Sequence, residues 1–207
     1  MPATRARQLL IDFGEVVSRA QPAADIAALA TDAGLPIGDF TARYWAHRAG
    51  YDRGGSALGY WTAVLGHEPG RAQLSRLVER DVASWLHLEP ETLALLEQLD
   101  AAGVPVSLLS NAPRELAREL ERHAALRSFA HLVFSADLRR VKPDPAIFTA
   151  ALGVLGAAPA DVVFVDDRAD NIAAAAALGL RARLFTGTPA CRAEILTATA
   201  GMSQLAA

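Results

Sequence analysis

Cysteine is almost absent from this sequence. Its 207 residues hold one, Cys191, which excludes an internal disulfide, a CxxC redox pair and a thiolate zinc cluster. Charge of one sign is equally scarce. Twenty Lys and Arg against 23 Asp and Glu leave a formal net charge of −3, which argues against a general nucleic-acid or anionic-membrane binder. No apolar run approaches the ~18 residues that a membrane helix needs. Positions 1–12 offer only Leu9, Leu10 and Ile11 before a carboxylate, so no signal peptide is predicted and a soluble cytoplasmic protein is expected.

What is present is apolar. Hydrophobic residues make up 52% and charged residues 21%, enough to bury a core in one domain or in a core carrying a smaller insertion. Aromatics are only 6%, and they are unevenly placed. All three Trp (Trp45, Trp61, Trp85) and all three Tyr (Tyr44, Tyr51, Tyr60) fall between positions 44 and 85, while six of the seven Phe lie outside 18–88. Two parts of one chain are built from different side chains.

Four short, nearly continuous apolar runs, 9–13, 104–110, 132–135 and 162–165, read as strands covered on both faces, with a weaker fifth at 182–185. Helical periodicity fills 90–102, 113–125, 144–155 and 169–178. Asp144 is placed as N-cap with Pro145 at the first helical position, and Gly179 follows the last of these helices. Alternation of strand and helix predicts an α/β fold: a three-layer, Rossmann-like parallel sheet. The first connection does not fit one crossover helix. Between Val17 and Val104 the sequence accommodates four further amphipathic helices, at 23–33, 38–49, 57–65 and 70–85, since a structureless loop of that length is improbable. The expected organisation is a core of 1–17 and 89–207 interrupted by a helical insertion at 18–88. The tail from 197 to 207 is expected to fray.

In open parallel sheets, ligands bind at the carboxyl ends of the strands. The first strand here runs into Asp12, the second ends in Ser110-Asn111 and the fourth in Asp166-Asp167, with Lys142 just before the Asp144 helix. Three carboxylates at one edge repel each other unless a cation joins them. All-oxygen ligation of that kind suits Mg²⁺. The bland alternative for Asp166-Asp167 is a helix N-cap pair, and that for Ser110-Asn111 a turn pair capping the following helix. Asp12, directly after Leu9-Leu10-Ile11, is buried and needs a partner.

The segments Leu9-Leu10-Ile11-Asp12-Phe13-Gly14, Leu108-Leu109-Ser110-Asn111, Lys142-Pro143-Asp144-Pro145 and Val165-Asp166-Asp167 with Asn171 resemble the four ordered motifs of the haloacid dehalogenase-like (HAD) hydrolase superfamily. The cap-sized insertion after the first strand resembles the helical C1 cap of subfamily IA, in its phosphatase-like branch with Asp-x-Gly in the first motif. The resemblance spans about residues 7–186. It implies a Mg²⁺-dependent phosphomonoesterase acting on a small phosphorylated metabolite. Asp12 would be the nucleophile of an aspartyl-phosphate mechanism. Asp12, the Gly14 carbonyl and Asp167 would hold the metal, with Asp166 a further ligand or the holder of a water on it. Ser110 would donate to the phosphoryl oxygens with Asn111 beside it, Lys142 would neutralise charge, and Asn171 would support from behind. Two alternatives follow from the same resemblance. A metal-independent 2-haloacid dehalogenase would share the aspartate but leave Asp166-Asp167 uncompensated, and a non-catalytic member would bind without turnover.

Two positions depart from the pattern. Most phosphatases of the superfamily carry an acid/base aspartate two residues after the nucleophile, a contribution of roughly 10²–10⁴-fold; here that residue is Gly14. Glu15 is a substitute only if its side chain does not point away, as a neighbour in extended backbone does. Arg139 stands where relatives often have glycine, so it either carries a steric cost in left-handed backbone or reaches the phosphate. Cap contact with substrate is expected from 44–55, with Tyr51 and Arg53 as candidates. Trp61 and Trp85 are read as packing of the helical bundle. His47, His67, His87, His123 and His131 show no metal spacing, and Cys191 is assigned no role. The sequence assigns no oligomeric state.

Overall fold

The computed structural model describes residues 8–199. Five strands, β1 (Gln8–Ile11), β2 (Val106–Ser110), β3 (His131–Phe134), β4 (Val162–Asp166) and β5 (Arg181–Leu184), form one sheet in the order β3-β2-β1-β4-β5. All four pairings are parallel. The strand direction of travel reverses at β1, the kind of switch point where such sheets open a crevice at their carboxyl ends.

Side-chain alternation sorts the sheet into two buried faces. Leu9, Ile11, Val106, Leu108, Val163 and Val165 pack on α5 (Pro90–Ala101), α6 (Arg114–Arg122) and α10 (Pro189–Thr199). Leu10, Leu109, Val133, Val162 and Phe164 pack on α8 (Pro145–Leu155) and α9 (Ala169–Ala177). The result is an α/β fold of three layers, as the unbroken apolar runs require.

Between β1 and α5, the chain runs out and returns as two extended segments paired at Ser18 and Leu88. Beyond that pair lie α1 (Ala23–Ala33), α2 (Ile37–Asp52), α3 (Ala57–Leu65) and α4 (Arg71–Ser84). They enclose a core of their own around Leu29, Phe40, Tyr44, Tyr60, Trp61 and Leu77. Tyr44, Tyr51, Tyr60 and Trp61 of the Trp- and Tyr-rich stretch form this core, large rings that bury area at low entropic cost, while Trp85 packs with the sheet and Trp45 is half exposed.

Several element ends differ from the sequence reading. β1 stops at Ile11 because Phe13 N–H donates to Asp12 Oδ1 at 2.7 Å and the chain turns. β2 starts at Val106, since Pro105 has no N–H for the ladder. The expected strand at 132–135 ends at Phe134, and Ser135–Leu138 forms one short helical turn, α7, too short to show periodicity. α2 continues through Gly50 to Asp52, tied by the i,i+4 pair Arg48–Asp52. α6 ends at Arg122 where His123 turns to extended backbone. The expected fraying from 197 does not occur up to Thr199, whose hydroxyl donates to Ile195 O at 2.8 Å; positions 200–207 lie outside the described residues. Among the described residues no helix is long and apolar enough to cross a membrane.

Candidate active site

A cavity of about 320 Å³ opens at the carboxyl edge of the sheet, between the core and the helical bundle. On the core side it is floored by the ends of β1, β2 and β4. Asp12 follows Ile11, Ser110 closes β2, and Asp166 closes β4 with Asp167 just beyond it. Register makes this meeting unavoidable: Ile11 pairs with both Leu108 and Val165, so the residues just beyond fall side by side.

Asp12, Asp166 and Asp167 each offer a carboxylate oxygen, and these oxygens all lie within 4.8 Å of one another. Lys142 is buried between two of them. Its Nζ sits 2.6 Å from Asp12 Oδ1 and 2.6 Å from Asp166 Oδ2 and donates to Leu109 O at 2.9 Å. Asp166 is fully buried, and its other oxygen accepts from Asn171 Nδ2 at 2.8 Å and from the Arg168 N–H at 2.9 Å. Asp166 thus anchors Lys142 from beneath, while Asp12 and Asp167 face the cavity.

One ammonium does not balance three carboxylates at this range. Burial, opposed by Lys142 and reinforced by Asp166, pushes Asp12 up to about 7. Burial, with Asp166 and Glu15 adding to it, pushes Asp167 up to about 6. Burial works against the Lys142 ammonium, yet Asp12 and Asp166 together hold its pKa above the ordinary lysine value. Both carboxylates that face the cavity are therefore under-compensated. The donor set is all oxygen and hard, and Asn171 Oδ1 is buried beside it without a hydrogen-bond partner. These residues fit a divalent cation such as Mg²⁺.

The other expected site residues divide. Ser110 and Gly14 line the cavity. Asn111 lines it too, but its side chain is committed elsewhere: Nδ2 donates to Lys142 O at 3.0 Å, and Oδ1 accepts from Lys142 N–H at 2.8 Å. These two bonds make Asn111 a positioning residue for Lys142 as well as part of the cavity lining. Asn171 supports Asp166 from behind. Glu15 lines the cavity because its backbone is left-handed, φ 56°, not extended. Arg139 also has φ 54°; it is exposed at the end of α7 and does not line the cavity, so it carries the steric cost of left-handed backbone.

On the bundle side the sequence reading needs a larger correction. Tyr51 stacks on Tyr60, with ring centroids 4.3 Å apart and planes 13° from parallel, inside the bundle core. Arg53 is exposed at the end of α2. Neither lines the cavity. The helix presents Trp45, Arg48, Ala49 and Asp52 instead, and Trp85 joins them from the end of α4. Their spacing of i, i+3, i+4 and i+7 is one helical face. That signal was available in the sequence but hidden by the equally polar faces beside it.

Arg48 is buried and shared. Its Nε donates to Asp52 Oδ1 at 2.8 Å and its Nη1 to Asp81 at 3.0 and 3.1 Å. Tyr44 OH donates to Asp81 Oδ1 and accepts from Trp85 Nε1 at 3.2 Å. Burial outweighs the pull of Arg48 and pushes Asp52 up to about 6. Trp85 also stands over Gly14, with Cζ3 3.4 Å from where a Cβ would lie. An indole thus lies against the position of the absent acid/base side chain.

Comparison with known proteins agrees with this arrangement. The chain is 33% identical over 128 residues to a phosphoglycolate phosphatase of Neisseria meningitidis, covering 56% of this chain and 54% of that protein. It spans about half the length of the curated relatives it matches. A HAD family enzyme of Bacteroides thetaiotaomicron, solved with magnesium and inorganic phosphate, superposes with a TM-score of 0.68 at 19% identity, covering 88% of this chain and 95% of that one. An L-2-haloacid dehalogenase superposes with a TM-score of 0.67 at 20% identity, covering 90% and 89%. At such identities these two structures show a shared fold alone, and the fold does not choose between their chemistries. The family model of haloacid dehalogenase-like hydrolases matches residues 6–179, a span that holds all four strand-edge segments around the cavity, and the chain belongs to that hydrolase family.

Proposed function

We propose that this protein is a Mg²⁺-dependent phosphomonoester hydrolase that acts on a small phosphorylated metabolite. The observation that carries the reading is the convergence of Asp12, Asp166 and Asp167 within 4.8 Å, with Lys142 salt-bridged to two of them. A 2-haloacid dehalogenase has no use for that excess of carboxylates, which is why the phosphatase reading is preferred over its metal-free counterpart. The cavity volume, near the lower end for ligand sites, suits a small ester and not a macromolecule. Residues 18–88 act as the cap over a core of 8–17 and 89–199, excluding water from the site. A chain with a single cysteine suits a cytoplasmic setting.

Asp12, the Gly14 carbonyl and Asp167 would hold the cation, which when bound supplies positive charge to the phosphoryl group and the nucleophile. An Asp12 oxygen attacks phosphorus; the P–O bond to the alcohol breaks with its electron pair going to the leaving oxygen, which takes a proton from a solvent water. Water then attacks the same phosphorus, the bond to Asp12 breaks, and inorganic phosphate is released. Lys142 keeps the Asp12 carboxylate oriented and offsets charge on the phosphoryl oxygens. The Ser110 hydroxyl donates to one of those oxygens. Phosphate release from an aryl phosphate tests the reading. Release that needs Mg²⁺ and disappears in Asp12→Asn is expected. Metal-free release of halide from a 2-haloacid, or no turnover with intact Mg²⁺ binding, overturns it.

A further inference from the structure

The wall that faces the leaving group is formed by Trp45, Arg48, Ala49 and Asp52 of α2 together with Trp85. We infer, building on the phosphatase reading, that this wall selects phosphomonoesters whose alcohol carries no second anionic group: a hydroxyl- or ammonium-bearing fragment with an apolar face. The inference starts from charge. Among the described residues, three cations line the cavity, and each already has a carboxylate. Lys142 lies between Asp12 and Asp166. Arg168 makes two bonds to Asp170, at 3.1 and 2.8 Å. Arg48 is held by Asp52 and Asp81, one guanidinium against two buried carboxylates.

Arg48 and Asp52 thus balance at the lining, the second carboxylate, Asp81, lies behind them in the bundle, and Glu15 adds a carboxylate at the core side. A leaving group with a carboxylate or a second phosphate would meet repulsion there and no unclaimed cation to receive it. A hydroxyl or ammonium can donate to Asp52, which lines the cavity.

The second observation is aromatic. Trp45 is 51% exposed although it stands at the cavity. Its ring meets Trp85 edge to face, with centroids 6.3 Å apart and planes at 85°. The two indoles form a right-angled corner. The faces of such rings carry negative quadrupole charge, so they attract C–H edges and ammonium groups and repel anions. Charge and shape thus favour the same class of substrate.

The test is a matched series with Mg²⁺, assayed well above the range in which Asp52 titrates: 2-hydroxyethyl, 2-aminoethyl and carboxymethyl phosphate, with an aryl phosphate as reference. The hydroxyethyl ester is expected to exceed the carboxymethyl ester in kcat/KM by about tenfold or more. Asp52→Asn, which keeps the shape and removes one charge, is expected to reduce that ratio to about threefold or less. Trp45→Ala, at a half-exposed site, is expected to raise KM for the aminoethyl ester more than for the carboxymethyl ester. An aryl phosphatase that handles the carboxymethyl ester as well as the hydroxyethyl ester overturns the inference and leaves the phosphatase reading standing. No phosphate release from any of the four overturns both. Should Asp52→Asn fail to fold, the wild-type ratio decides alone.

Discussion

Asn111 grips the main chain of Lys142 on both sides, donating to its carbonyl at 3.0 Å and accepting from its N–H at 2.8 Å. The lysine that balances Asp12 is therefore located by the residue that follows β2, across a sequence gap that no local rule spans. Asn111→Ala removes both bonds. The expected cost is about 1–3 kcal/mol of stability, with kcat lowered by roughly 10–100-fold and KM changed little, because Lys142 is displaced from the nucleophile. Steady-state kinetics on an aryl phosphate, with a urea melt alongside, check this. A large rise in KM at unchanged kcat would return Asn111 to the role of substrate contact.

Metal binding is expected to stabilise the fold, since the cation relieves repulsion that exists only in the folded site. At Mg²⁺ about 100 times its Kd the gain is about 2.7 kcal/mol. Asp167→Asn, which removes a cavity-facing charge, should lose most of that gain. Melts with Mg²⁺ and with EDTA give the answer without reference to activity, and equal shifts in both proteins would rule Asp167 out as a ligand.

Asp52 predicts a pH dependence. Burial raises its folded pKa from 3.8 to about 6, so the folded protein holds this proton more tightly than the unfolded chain. The resulting contribution is fully present below 3.8 and is lost as pH rises through about 6. Asp52→Asn should therefore show a flatter stability curve across that window than the wild type. The slope is the readout, because loss of the Arg48 partner shifts the whole curve downward. Parallel curves would show that Arg48 fully offsets the burial.

Arg139 occupies left-handed backbone, φ 54° and ψ 32°, at the end of α7. The Cβ of a non-glycine residue is crowded there, at about 1–2 kcal/mol, while glycine costs part of that back in unfolded-state entropy. Arg139→Gly should raise stability by about 0.5–1 kcal/mol and leave kcat/KM within about twofold. A lower urea midpoint, or a loss of activity, would mean that the guanidinium has a role the geometry does not assign it.

How much of this was legible in the sequence depends on the range over which each feature is decided. α1 and α3 were bounded correctly from periodicity, and β4 within one residue, because their patterns are local and strong. The strand-edge residues were legible for a related reason. A parallel sheet covered on both faces leaves polar side chains only at its ends, so Asp12, Ser110 and Asp166-Asp167 stand out against apolar runs. The one-turn helix Ser135–Leu138 and the continuation of α2 past Gly50 were not legible. The first is too short to have a period, and the second is held by Arg48, whose partner Asp81 lies on another helix.

The sequence by itself determined the layers of the fold, the helical insertion after the first strand, and which side chains gather at the sheet's edge. Periodicity and the cost of burying a carboxylate act on neighbours along the chain, and a reader needs nothing else to find them. Only the tertiary structure decided which side of α2 meets the cavity. Tyr51 and Arg53 had as good a claim by composition as Trp45, Arg48 and Asp52. The rotation of the helix was fixed by the stacking of Tyr51 on Tyr60 and by the pull of Asp81 on Arg48, contacts between elements whose mutual placement no stretch of sequence contains.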